Sequence, residues 1–96
     1  MELVIVARFH ARAGLAPDVE RTIRAVSTPT RAEPGCLDYQ VYRGTRDPLL
    51  FVIHSRWRDA AAFEAHATLP HTVRFLETVA PLIDHPLDVA RTTRIL

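Results

Sequence analysis

Residues Leu3 to Ala7 read Leu-Val-Ile-Val-Ala, inside the stretch ELVIVARFH that spans Glu2 to His10. β-Branched and aromatic side chains favour an extended backbone. Successive side chains of a strand leave on opposite faces, so this strand is apolar on both sides and needs cover on both. The chain has 96 residues, enough for one domain (residues 1–96) that buries roughly 60–65% of its unfolded surface. What lies against each face of this strand is therefore the question any fold must answer.

The rest of the chain supplies cover for one face. Leu15, Val19, Ile23 and Val26 recur at helical spacing, the apolar stripe of an amphipathic helix. Pro17 suits its first turn, and Pro29 predicts a kink or an end near Thr28. Glu33-Pro34-Gly35 reads as a turn. Strand two follows from Cys36 to Arg43, with Leu37, Tyr39 and Val41 on one face and Tyr42 opposite. Gly44 to Pro48 makes a hairpin loop, and strand three runs from Leu49 to about Trp57. Asp59 is placed to cap a helix over Ala60 to Ala67. Thr68 is placed to cap a second short helix with Pro70 in its first turn, striped by Val73, Leu76, Val79 and Ala80 with Phe75 alongside, and ended by Pro81. Leu87 to Ile95 alternates as a fourth strand.

The order β-α-β-β-α-β, with the second helix broken in two, is the ferredoxin-like split-βαβ plan of the α+β class. It builds a four-stranded antiparallel sheet with its helices on one face. The other face of strand one still needs cover, and a second copy of the chain is the simplest candidate. The expectation is a homodimer.

Composition removes several function classes. Twelve basic and eleven acidic residues leave a net charge of +1, so no bulk field selects nucleic acid or an anionic membrane. All the cations are arginine, which excludes Schiff-base chemistry, pyridoxal phosphate attachment and a P-loop lysine. The single Cys36 permits no internal disulfide and no multi-cysteine zinc site. With three glycines there is no G-x-G-x-x-G, no Walker loop and no G-x-S-x-G. No run approaches the roughly 20 apolar residues of a membrane span, and Glu2, Arg8 and His10 do not suit a signal peptide. A cytoplasmic location is the expectation.

Residues with chemical potential bunch between Tyr39 and Phe75. Trp57 ends strand three, Ser55 shares its face, and Phe63, His66, His71 and Phe75 follow on the short helices. Aromatic walls with an imidazole suit a flat aromatic ligand, the rings giving stacking area and the imidazole moving a proton. Each residue also has a plainer reading. Trp57, Phe63 and Phe75 would serve equally as core, and His66 near a helix end could cap carbonyls. His71 in a first turn is badly placed for positive charge, and buried it should be neutral. His10 and His54 read as surface or interface residues. The spacing of His66 and His71 is neither the i, i+4 zincin pair nor a finger spacing, so no metal is expected.

Taken together, EPGCLDYQVYR, the loop RDP, VIHSRW, DAAAFEAH and LPHTVRF resemble the antibiotic biosynthesis monooxygenase (ABM) domain family, small proteins of the dimeric α+β barrel superfamily. The resemblance covers about residues 3 to 95. It is strongest at Glu33-Pro34-Gly35-Cys36, at Trp57 and at the histidines of F-E-A-H and P-H-T. It implies ferredoxin-like subunits paired through their sheets. It also implies oxidation of phenols, hydroquinones or polyketide-like anthrones to quinones by O2 without a metal, flavin or other cofactor. The chain departs from the family pattern at Ser55, where many relatives carry glutamate, and at Ile53, where quinone-forming members use asparagine. Ala7 stands where haem-degrading relatives place an asparagine, which argues against haem degradation.

Sequence and resemblance together point to a cofactor-independent monooxygenase acting on a small aromatic. His66 or His71 would be the base, and Arg74 or Tyr39 would hold the phenolate. Trp57, Phe63 and Phe75, with Ser55, would line the pocket. A non-oxidative isomerase or small-molecule binder on the same barrel is the alternative. A purely structural dimer would leave no cavity near the roughly 300 Å³ lower limit of ordinary ligand sites.

Overall fold

Alternation of buried residues with half-buried or exposed ones along the central strands decides which way the sheet faces. The computed structural model describes residues 1–96. Its strands are β1 (Leu3–His10), β2 (Cys36–Arg43), β3 (Leu50–Trp57) and β4 (Asp88–Thr92); its helices are α1 (Ala16–Arg31), α2 (Ala60–Ala67) and α3 (Pro70–Val79), with a 3-10 turn over Ala80–Leu82. The sheet is antiparallel in the order β2-β3-β1-β4, the ferredoxin-like α+β arrangement. No helix is long and apolar enough to cross a membrane.

Cross-strand register places Ile5 opposite Ser55, Ala7 opposite Ile53 and Phe9 opposite Phe51. All six are buried beneath the helices. Val19, Ile23 and Val26 of α1 meet this face, and Phe9 packs edge-on against Phe75 of α3 at 5.6 Å. On the opposite face Val4, Val6 and Val52 stay half-buried and Tyr42 is exposed. The second apolar face of β1 is thus open in the single subunit.

Five local expectations need correction. The first concerns α1, which runs through Pro29 to Arg31. Thr30 is fully buried, and the Arg31 guanidinium donates to the Tyr39 carbonyl through Nε at 3.2 Å and Nη2 at 2.8 Å. This anchoring carries the helix past the single backbone bond that proline removes. Thr68 does not start α3; its hydroxyl donates to the Ala65 carbonyl at 2.9 Å and closes α2, while Leu69 precedes α3 without a side-chain cap.

In α3 the buried positions are Thr72, Phe75 and Val79, whereas Val73 and Leu76 are 41% and 40% exposed. The helix carries two overlapping apolar stripes, and the contact of Phe75 with Phe9 selects one. Strand β2 has an irregularity between Cys36 and Asp38, which lifts Leu37 out of the ladder and leaves it 43% exposed. A bulge of this kind shifts one residue off its expected face. Strand β4 is also shorter than the alternation suggests. Thr92 pairs with Val4 near the start of β1, and beyond it there is no neighbouring strand to pair with.

The loop entering β4 is latched to the far end of β1. Asp84 N–H donates to the His10 carbonyl at 3.0 Å, and Ala11 bridges Ile83. The His10 ring joins Asp84 through Nδ1 at 2.7 Å and Asp47, from the β2–β3 loop, through Nε2 at 2.8 Å.

Candidate active site

The site begins with a glycine. Gly35 packs so closely on α2 that a Cβ there would collide with the Cβ of Ala62, and its carbonyl accepts from Arg58 N–H at 2.9 Å. This close approach presses the turn before β2 against α2. Asp59 holds the start of α2, its carboxylate accepting from Ala62 N–H at 2.8 Å. That bond keeps the Asp59 carboxyl below the usual carboxylate range.

Glu33, on the same turn, is thereby carried beneath the junction of α2 and α3. Its side chain is only 9% exposed. One oxygen, Oε2, lies 2.7 Å from His66 Nδ1 and 2.8 Å from His71 Nε2, and the Thr72 hydroxyl lies 3.3 Å from His66 Nδ1. A carboxylate that accepts from both rings makes these nitrogens the protonated ones in the neutral tautomers. The free nitrogen of His66 is then Nε2.

Behind His66 stands Trp57, whose ring centre is 4.6 Å from the imidazole. The buried indole Nε1 donates to Ser55 Oγ at 3.0 Å, which fixes the ring that backs the histidine. Phe63 completes the cluster at 5.7 Å from both. An apolar cavity of about 160 Å³ opens between helices and sheet beside this cluster. Phe9, Phe63 and Phe75 are among its lining residues, together with His66, Tyr39, Ser55, Thr30 and Thr72. Burial pushes the Tyr39 phenol above its usual range, with Ser27 and Arg31 pulling the other way, so the phenol keeps its proton and can donate.

Of the residues singled out in the sequence, Tyr39, Ser55, Phe63, His66 and Phe75 meet at the cavity wall. Trp57 does not line it and serves as the backing of His66. His71 does not line it and shares the Glu33 carboxylate with His66. Arg74 is not brought to it: α3 turns Phe75 inward, and Arg74 lies exposed on an outer groove beside α1. The space falls short of the roughly 300 Å³ of ordinary ligand sites, yet it matches the roughly 150 Å³ of cavities known to take a benzene ring.

Sequence reasoning overlooked Glu33, Thr30 and Thr72. Glu33 was marked by the E-P-G-C resemblance but not as a partner of the histidines, because it joins them across 33 and 38 residues. It also supplies the third donor that the histidine spacing lacked, since Glu33, His66 and His71 each offer a ligand atom within 4.8 Å of the others. Separations of 2.7 and 2.8 Å are hydrogen-bond lengths. Ligand atoms around an ion with bonds of about 2.1 Å would stand about 3 Å or more apart. The trio as placed is a hydrogen-bonded relay.

The chain is similar to known proteins along most of its length. The antibiotic biosynthesis monooxygenase family matches over residues 2–78. Rv0793 of Mycobacterium tuberculosis is 31% identical over 87 residues, covering 91% of this chain and 85% of the relative. Its solved structure superposes with a TM-score of 0.94 at 27% identity, over 99% of this chain and 96% of that one. The crystal structure of PA3566 from Pseudomonas aeruginosa superposes at 0.91 with 34% identity, over 99% and 95% of the two chains. By its match over most of its length, its relatives and its fold, the chain belongs to the antibiotic biosynthesis monooxygenase family.

Proposed function

We propose that the protein is a monooxygenase that converts a small phenol or hydroquinone to a quinone with O2, the substrate itself supplying the electrons. The observation that carries this reading is His66, set in the wall of an apolar cavity with its Nδ1 bound to a buried carboxylate. His66 Nε2 takes the phenolic proton, and the imidazolium that forms sits beside Glu33, which offsets its charge. The second N–H of the relay, from His71, holds the carboxylate in place. Tyr39 donates to the phenolate.

The electron-rich phenolate passes one electron to O2. The resulting superoxide and phenoxyl radical join at a ring carbon, and the hydroperoxide loses water. One oxygen atom remains on the ring as the new carbonyl and the other leaves as water, so the ring gives up four electrons in all. A dry cavity favours these steps by excluding competing proton sources. Two relatives, Rv0793 and YcnE of Bacillus subtilis, bear provisional monooxygenase names, which supports the same chemistry. Val4, Val6 and Val52 on the open sheet face support a second copy of the chain as its cover. Sedimentation at micromolar concentration should give a dimer, and Val6→Asp a monomer.

The test of function is oxygen uptake with a panel of phenols and hydroquinones. One O2 should disappear per quinone formed, with no added flavin, haem or metal. A binder or isomerase on this scaffold would consume none.

A further inference from the structure

The cavity beside His66 is aromatic at its depth and aliphatic at its opening. Phe9, Tyr39 and Phe75 are buried among its lining residues. The lining residues that are exposed are Ala67 at the end of α2, Leu76 of α3 and Val89 of β4, and none of them is polar. Leu76 and Val89 stay 40% and 42% exposed. Apolar side chains left open together at the rim of a ligand site mark where more of a ligand is covered.

Outside this opening lies a second space. A groove of about 420 Å³ is bounded by the end of α3, the 3-10 turn and the segment entering β4. Leu76 and Leu87 line the groove as well as the cavity, so these two side chains form the sill between them. Past the sill the walls are Val79, Ala80, Ile83 and Pro86, with Arg12, Asp84 and His85 as the polar lining. The groove has no phenylalanine, tyrosine or tryptophan in its walls. Aromatic walls favour a ring that stacks on them, whereas aliphatic walls reward any apolar area that leaves water. A flexible chain can turn over Leu76 and Leu87, while a fused ring system extends only in its own plane.

We propose that the ligand is a phenol or hydroquinone carrying an aliphatic chain of several carbons, its ring beside His66 and its chain in this outer groove. Leu76, Ala80 and Leu87 are then specificity-determining residues. The proposal rests on the functional reading for the aromatic head and deepens it by naming the substituent. Each methylene laid on the groove walls raises affinity, by about fourfold where its burial is complete and about twofold where half of it stays in water.

Calorimetry without oxygen measures binding apart from turnover. The probes are hydroquinone and its methyl, butyl and hexyl derivatives, added to the intact protein. Hexylhydroquinone should bind at least about thirtyfold tighter than hydroquinone, with the shorter chains in order between them. Ala80 lines the groove and not the cavity, so Ala80→Glu should cut that ratio to about threefold or less. Ala80→Gln repeats the test without a charge at the end of α3. Val73→Glu alters an exposed apolar residue of the same helix that lines neither space, and it should leave the ratio unchanged. A chain that adds no affinity, or a gain that survives both Ala80 variants, overturns the proposal. So does a gain lost equally in Val73→Glu, which would place the chain on apolar surface at large. The functional reading fails separately. Oxygen uptake with hydroquinone but no gain from the chain spares that reading and ends this proposal, and chain-dependent binding without oxygen uptake does the reverse.

Discussion

The Glu33 carboxylate meets His66 Nδ1 at 2.7 Å, although 33 residues separate the two in the chain. The contact fixes where the ring points and, in the proposed mechanism, leaves Nε2 free to act as the base. Glu33→Gln should lower the turnover number by about tenfold to a hundredfold, the usual loss when the group orienting a working histidine is altered. Circular dichroism should show the fold intact. Unchanged oxygen uptake in that variant would remove Glu33 from the mechanism.

The two histidines of the relay should not be equal. His66 lines the cavity, whereas His71 does not and hydrogen-bonds Glu33. His66→Ala should reduce kcat by about a hundredfold or more, the range lost with a general base. His71→Ala should cost about tenfold and be felt through the carboxylate. Steady-state kinetics on both variants with one substrate checks the order, and a larger loss at His71 would reverse the assignment.

Gly35 offers a stability test of how the relay is positioned. Adding a methyl group forces the turn away from Ala62, an overpacking that costs about 1–3 kcal/mol. Gly35→Ala should therefore lower the thermal midpoint. It should also lower activity, because the same turn carries Glu33. A variant with normal stability would show that α2 yields easily at this point.

Local periodicity explains which parts of this architecture could be read in the sequence. The doubly apolar β1, the stripe of Val19, Ile23 and Val26, and the Asp59 cap are set by neighbours a few residues away, and all three stand in the structure. Features decided by distant contacts were not legible. The phase of α3 depends on Phe75 meeting Phe9, the displaced Leu37 depends on the pairing of β2 with β3, and α1 outlasts Pro29 because Arg31 reaches Tyr39. The site divides the same way. Its aromatic and imidazole residues advertise themselves, whereas Glu33 looks like a turn residue until the chain folds over it.

The latch at the far end of β1 should make stability depend on pH. Hydrogen bonds from Asp84 and then Asp47 raise the His10 pKa. The Asp84 carboxyl is lowered chiefly by His10, and that of Asp47 by the Leu49 N–H and then His10. A raised histidine stabilises fully below its unfolded value of about 6.5, and lowered carboxylates above theirs of about 3.9. The latch is therefore complete between about pH 4 and 6.5. It weakens as pH rises through the raised His10 value, or falls through the lowered carboxylate values. The difference in thermal midpoint between the unaltered protein and His10→Gln should be largest in that window and shrink above it. A difference that stays constant across pH would show the ring acting by shape alone.

Trp57 is the chain's single tryptophan, and its indole lies 4.6 Å from the His66 ring. The protein thus carries its own fluorescent gauge of the cavity wall, one whose emission should change when a molecule settles beside His66.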